Sequence, residues 1–230
     1  MSDLLSGLSH ALRLLLGGDA ETAAIMGLSL QVSGLALLLS ALIGVPLGAW
    51  LGLRSFAARR LVVALLYTGM GFPPVVIGLF VYLLLSRAGP LGELAWLFTP
   101  RAMVLAQTIL GLPLVAGLTL AAVEGADPAL RLQVRALGAT STQTTLTLLW
   151  EVRAGVIAAI MAGFGAIISE VGAVMLVGGN IQGSTRVLTT AIVLETRKGN
   201  FDLALALAFV LVGLTFALNL AVLRLQRRLA

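Results

Sequence analysis

Cysteine is absent from the 230 residues, which excludes a disulfide framework and any thiolate metal site. Histidine occurs once, as His10 in a Leu-rich amino-terminal stretch, and because metal ligands come in clusters it is assigned no chemistry. Lysine also occurs once. A phosphate cradle of the form G-x-x-x-x-G-K-[ST] would have to use Lys198, yet the residues before it read Val-Leu-Glu-Thr-Arg, so the chain carries no such loop. Charge is scarce at 11%, against 59% hydrophobic residues and a mean hydropathy of +1.06. Water-soluble domains do not have this composition, and the solvent of this chain is lipid. The net charge of +5 is scattered between apolar runs rather than gathered with aromatics, which argues against a nucleic-acid partner.

What is present is a set of five long apolar runs, at about 30–53, 61–85, 102–123, 155–178 and 204–223. Each is long enough to cross a hydrocarbon core of about 30 Å. The sequence therefore predicts an all-α integral membrane protein with about five transmembrane helices in a single transmembrane domain, residues 25–230. Residues 1–24 are set apart. Over 3–16, Leu4, Leu5, Leu8, Leu12, Leu15 and Leu16 share one helical face, with Ser6, Ser9, His10 and Arg13 towards the other, as in a helix lying in the membrane interface. A cleavable signal peptide fits less well, because an acidic residue comes early and the apolar stretch is broken.

Basic residues near the span ends give a direction. With the amino terminus outside, nine arginines fall inside (Arg54, Arg59, Arg60, Arg131, Arg135, Arg153, Arg224, Arg227 and Arg228) and six basic residues outside. Arginine and lysine are retained on the cytoplasmic side, so this orientation is favoured. The runs are not plain apolar rods. Gly44, Gly48 and Gly52 recur every four residues on one face, a spacing that admits another helix at close range. Pro46, Pro73, Pro74 and Pro113 interrupt three of the runs and predict kinks, whose freed carbonyls need partners in lipid. Ordinary helix packing accounts for any one of these residues; together they favour a tightly packed bundle with room to move.

Two polar segments remain. The first, 124–154, lies between the third and fourth runs. Asp127 before Pro128 is a helix start, Gly138 a left-handed stop, and Thr140 or Ser141 a cap for a second helix towards Leu148 and Trp150. This predicts helix, glycine turn, helix on the cytoplasmic face, either as a mere connection or as a short handle that fills a groove on a partner. The second segment is Ile168–Asp202, of which 179–202 is placed outside the membrane on the extracytoplasmic side. Glu170 sits at membrane depth, where an ionisable residue is costly; it is either functional or an internally paired structural carboxylate, and it would repel an anion. After it come Asn180, Thr185, Arg186, Thr189 and Thr190. In a helix starting near Ser184, Arg186, Thr189 and Thr190 share a face that suits a tetrahedral oxyanion. The plain alternative is an arginine reaching the interface and threonines bonded to their own helix.

The stretch Val134, Arg135, Ala136, Leu137, Gly138, Ala139, Thr140 resembles the "EAA" loop of binding-protein-dependent ABC importer permeases, with Gly138 on the central glycine. Leu132, Gln133 and Val134 depart from the E-A-A residues, and Trp150 and Glu151 from the closing Leu-Pro. The blocks EVGA, GGNI, TRVLTT and LET over 168–202 resemble the permeases of tungstate importers, within the molybdate and sulfate group. The resemblance covers roughly residues 25 to 225. It implies a type I, MetI-like permease fold whose loop around Gly138 is a coupling helix docked on an ATPase. It further implies a homodimer, two ATPase subunits that use ATP and magnesium while this chain binds no cofactor, and an extracytoplasmic binding protein that delivers the ion. Two other classes fit the sequence less well. A membrane enzyme needs a nucleophile with its base or a metal cluster, and no H-E-x-x-H or G-x-S-x-G occurs. An ion-coupled secondary transporter needs more intramembrane charge than Glu170 supplies.

Overall fold

A computed structural model describes residues 19–229, with side chains as far as Arg224. The amphipathic segment at 3–16 with His10, and the side chains of Arg227 and Arg228, lie outside the described residues. Within them the regular structure is helical, apart from turns, and comprises α1 (Ala20–Leu53), α2 (Arg59–Met70), α3 (Pro74–Leu85), α4 (Pro100–Glu124), α5 (Pro128–Ala136), α6 (Ser141–Glu151), α7 (Arg153–Ile168), α8 (Gly172–Gly178), α9 (Leu188–Arg197) and α10 (Phe201–Leu229), with one 3-10 turn at Gly92–Leu94.

Three helices, α1, α4 and the Phe201–Arg224 part of α10, are long and apolar enough to cross a membrane unaided. The pairs α2 with α3 and α6 with α7 qualify jointly, which brings the total to as many as five. The second predicted run, 61–85, is interrupted where Pro73 and Pro74 stand, because proline cannot donate to the preceding turn. Pro46 and Pro113, in contrast, lie inside unbroken helices. The fourth predicted run, 155–178, is not one helix. It ends at Ile168, and α8 starts afresh at Gly172 because the Glu170 carboxylate accepts the Ala173 N–H at 2.8 Å, as an N-terminal capping side chain does. The part of the run that overlaps a membrane-length stretch is α7, which meets the length test only together with α6, from which it is bent by 74° at Val152.

The chain divides into two compact units: residues up to 35, 74–107 and 168 onward form one, and 36–73 with 108–167 the other. In the first unit α1 starts at the Asp19 carboxylate, which accepts the Thr22 N–H at 2.8 Å and is held below its ordinary pKa by hydrogen bonds from the Thr22 hydroxyl and N–H. Helix α3 lies against α8 so closely that a Cβ on Gly78 would stand 2.6 Å from the Ala173 Cα. Helices α9 and α10 share a buried cluster of Leu188, Ala191, Ala206, Leu207 and Val210.

In the second unit the Gly44, Gly48 and Gly52 stripe lies on α4. A Cβ on Gly48 would come within 2.3 Å of the Ala116 carbonyl oxygen, and one on Gly52 within 2.8 Å of Val123. Only hydrogen fits there, so the stripe sets the spacing of the two helices. Leu51, Leu66, Ala116 and Leu120 are buried together beside it. Large apolar side chains such as Leu42, Leu61, Phe80, Val212 and Phe216 remain exposed, the inverse of a soluble protein's surface and what lipid or a membrane partner would cover.

Candidate functional site

Two places combine polar side chains with unusual backbone geometry, one in each unit. The first is the segment after α4. Pro128 occupies the first turn of α5, and Asp127 accepts the Ala129 N–H at 2.8 Å, so two of the helix's orphan amide positions are satisfied or absent. Helix α5 ends at Ala136, and Gly138 takes φ +85, a conformation L side chains adopt only with strain. Thr140 then opens α6 with a reciprocal cap. Its hydroxyl accepts the Gln143 N–H at 3.3 Å, and the Gln143 side chain accepts the Thr140 N–H at 2.8 Å. Helix, glycine turn and helix are thus as predicted, with Thr140 rather than Ser141 as the cap.

The hairpin is anchored by arginines along its length. Arg131 donates to the Leu53 carbonyl at 2.6 Å, Arg54 to the Ser141 hydroxyl at 3.5 Å, and Arg59 pairs with Glu124. Its outward surface is apolar and uncovered. Leu137, next to the glycine, is 88% exposed, Leu132 is 69% exposed, and a Cβ built on Gly138 would meet nothing within 4 Å. All six of Arg135, Ala136, Leu137, Gly138, Ala139 and Thr140 lie at this turn, and among them the structure buries no side chain.

The second place is the run from Glu170 to Asn200. Glu170 is largely buried; besides capping α8 its carbonyl oxygen accepts the Thr189 hydroxyl at 3.0 Å. Gly179 and Asn180 both have positive φ, which reverses the chain after α8. The Thr185 hydroxyl holds this reversal, accepting the Ile181 N–H at 2.9 Å and donating to the Gly178 carbonyl. Helix α9 begins at Leu188, not near Ser184, for a local reason. The Thr190 hydroxyl accepts the Val187 N–H at 3.1 Å, and the Ser29 hydroxyl of α1 accepts the Leu188 N–H at 2.8 Å. Arg186 consequently precedes the helix and does not share a helical face with Thr189 and Thr190. The three threonine hydroxyls each donate to a main-chain carbonyl, Thr190 to Val187 at 3.0 Å.

Two polar atoms in this region are buried without a partner: Nε of Arg186 and Oδ1 of Asn180. The Arg186 guanidinium meets Glu21 at 3.5 Å, and the Gln182 side chain donates to the same carboxylate at 2.8 Å. Nearby, the Lys198 ammonium bonded at 2.8 Å holds the Glu195 carboxyl below its ordinary value against the opposing effect of burial, assisted by the Asn200 amide and the Arg186 charge. Sequence reasoning missed Glu21 and Ser29 here, and Arg54 and Arg131 as the hairpin's anchors. A signal existed for the α1 partners. Thr22, Ser29, Ser33 and Ser40 follow one another at steps of seven, four and seven, the helical repeat, and all are buried.

Residues 44–230 match the family described as binding-protein-dependent transport system inner membrane component. A probable anion ABC transporter permease protein of Haloferax volcanii is 46% identical over 85% of this chain and 86% of its own length. A tungstate uptake system permease protein of Peptoclostridium acidaminophilum is 38% identical over 98% of this chain and 99% of its own. A molybdenum transport system permease protein of Escherichia coli is 32% identical over 75% and 79%.

Proposed function

We propose that this chain, which belongs to the family of binding-protein-dependent transport system inner membrane components, carries a tetrahedral oxyanion through the membrane as the permease subunit of an ABC importer, tungstate first and molybdate next. A component of such a system is a multi-pass membrane protein of the type I permease fold, working with an ABC ATPase and a substrate-binding protein. The orientation follows the arginine count, amino terminus outside and carboxyl terminus in the cytoplasm. The hairpin of α5 and α6 is then cytoplasmic, and α9 lies on the extracytoplasmic side.

The observation that carries the reading is the exposed turn at Leu137 and Gly138. A solvated loop has no reason to hold a leucine 88% exposed at the tip of a doubly capped hairpin; a groove on an ATPase supplies one. Two ATPase subunits bind ATP with magnesium, close, and pull one hairpin each, while this chain binds no cofactor. A second copy of the chain completes the pathway, and the uncovered apolar face of α10 is available to that copy or to lipid. The bundle then alternates between outward and inward states. In the pathway Arg186 meets the ion through its unpaired Nε, in competition with Glu21, and Asn180 lies beside it. Thr185, Thr189 and Thr190 hold the backbone that presents them. Selection among oxyanions falls mainly to the binding protein.

The test is a titration of that binding protein with tungstate, molybdate and sulfate, paired with uptake into vesicles holding the assembled complex. Preference for tungstate with ATP-dependent uptake is expected. Preference for a sugar or an amino acid would overturn the oxyanion assignment.

A further inference from the structure

Where the hairpin meets the end of α1, three guanidinium groups line one small cleft. Arg54, from the end of the α1 segment, and Arg131 and Arg135, both on α5, surround a space of about 40 Å³ that also touches Ser141 at the start of α6. None of the residues lining it is acidic. The cleft shares Leu53, Arg131 and Arg135 with a larger groove of about 420 Å³, whose two carboxylates are already engaged, Glu124 with Arg59 and Asp127 with the Ala129 N–H. Arg131 is held by its bond to the Leu53 carbonyl at 2.6 Å and Arg54 reaches the Ser141 hydroxyl at 3.5 Å, each using one of the five N–H donors of a guanidinium. Arg135 is exposed, with no carboxylate paired to it among the described residues. Three like charges held on one cleft repel one another unless an anion lies between them, and the first turn of α6 adds its positive dipole end. A space of this size accommodates about three water-sized oxygens, the number one phosphate-type group would direct at three forks.

From this geometry we infer that Arg54, Arg131 and Arg135 form a binding site for one tetrahedral oxyanion of phosphate type, separate from the transport pathway. The anion would stitch the end of α1 to both helices of the hairpin, so that its occupancy stiffens the handle. Two sources have this chemistry, a free oxyanion in the cytosol and the headgroup of an anionic lipid. Leu132, 69% exposed on the adjoining groove, would suit the lipid's acyl chain. Placing the site at the cytoplasmic leaflet rests on the orientation proposed above.

The experiment uses the full chain, purified in uncharged detergent and stripped of lipid. In one arm labelled orthophosphate is titrated; in the other the chain is placed in nanodiscs of mixed phosphatidylglycerol and phosphatidylcholine, and retained lipid is read by native mass spectrometry. Saturable binding of one phosphate group per chain is expected, weakened about tenfold by Arg135→Gln, partly rescued by Arg135→Lys, and reduced at high ionic strength. Arg54→Gln provides a second, independent variant. Phosphatidylglycerol retained by the native chain and lost from the variants identifies the headgroup as the source; orthophosphate binding without lipid retention identifies the free ion. Native and variant chains that behave alike in both arms would overturn the site. Neither arm involves uptake, so the transport reading stands or falls separately.

Discussion

The hairpin of α5 and α6 and the polar run from Glu170 to Asn200 are similar in composition and opposite in use. In the hairpin, Asp127, Thr140 and Gln143 satisfy the local backbone, so the turn is complete without help and its apolar and cationic side chains are left facing outward. In the run after Glu170, the hydroxyls of Thr185, Thr189 and Thr190 turn inward to main-chain carbonyls, and Arg186 and Asn180 keep buried atoms unpaired. Polar residues in a membrane protein therefore do not mark a ligand by their presence. What separates a scaffold from a contact surface is whether their hydrogen-bonding capacity is already filled.

The sharpest test of that contrast uses two glycines. Gly138→Leu should still insert, since its side chain meets open space and only the turn takes up the strain of φ +85, but uptake should fall at least about tenfold, the loss of ~1.4 kcal/mol or more of coupling. Gly48→Leu should instead prevent accumulation of the folded chain, because its Cβ would collide with α4. Equal behaviour of the two variants in membrane-insertion and uptake assays would erase the distinction. Next in size, Thr185→Val removes the acceptor of the Ile181 N–H and leaves the buried Gly178 carbonyl without this partner, a loss of about 1–3 kcal/mol visible as a lower melting temperature in detergent. An unchanged melting temperature would mean that the threonines are not scaffold.

Arg186→Gln should act on transport rather than on folding. Its KM for tungstate uptake should rise roughly threefold to tenfold, about 1 kcal/mol for one charged hydrogen bond, with the maximal rate little changed. The smallest effect concerns Glu195. Its folded pKa lies below the ordinary glutamate value near 4.3, so its contribution is present above that value and is lost as pH falls through the folded one. The melting temperature should accordingly decline more steeply below about pH 4.3 in the native chain than in Lys198→Met, and identical pH profiles would deny the ion pair any role.

Much of this architecture was legible in the sequence because it depends on local rules. Asp127–Pro128, Gly138 and Thr140 each act within four residues, and the structure places them as capping and turn chemistry dictates. The Gly44, Gly48 and Gly52 stripe was legible too, since a four-residue repeat fixes a face without naming its partner. What escaped depends on distant chain. The start of α9 at Leu188 is set partly by Ser29, 159 residues away, and the break after Ile168 by a carboxylate that hydropathy averages away within an apolar run. The unpaired atoms of Arg186 and Asn180 were invisible for the same reason, because only packing decides which donors find acceptors.

The central claim is that the turn at Gly138 is the handle an ATPase grips, and the absence of cysteine from the chain makes it directly measurable. Leu137→Cys introduces a single thiol at the most exposed point of the hairpin. In membranes holding the whole complex, a short bifunctional reagent should join it to the P-loop ATPase subunit, with a yield that changes when ATP is added. A stoichiometric complex in which this thiol never reaches the ATPase, while Leu83→Cys in the apolar face of α3 behaves no differently, would contradict the account.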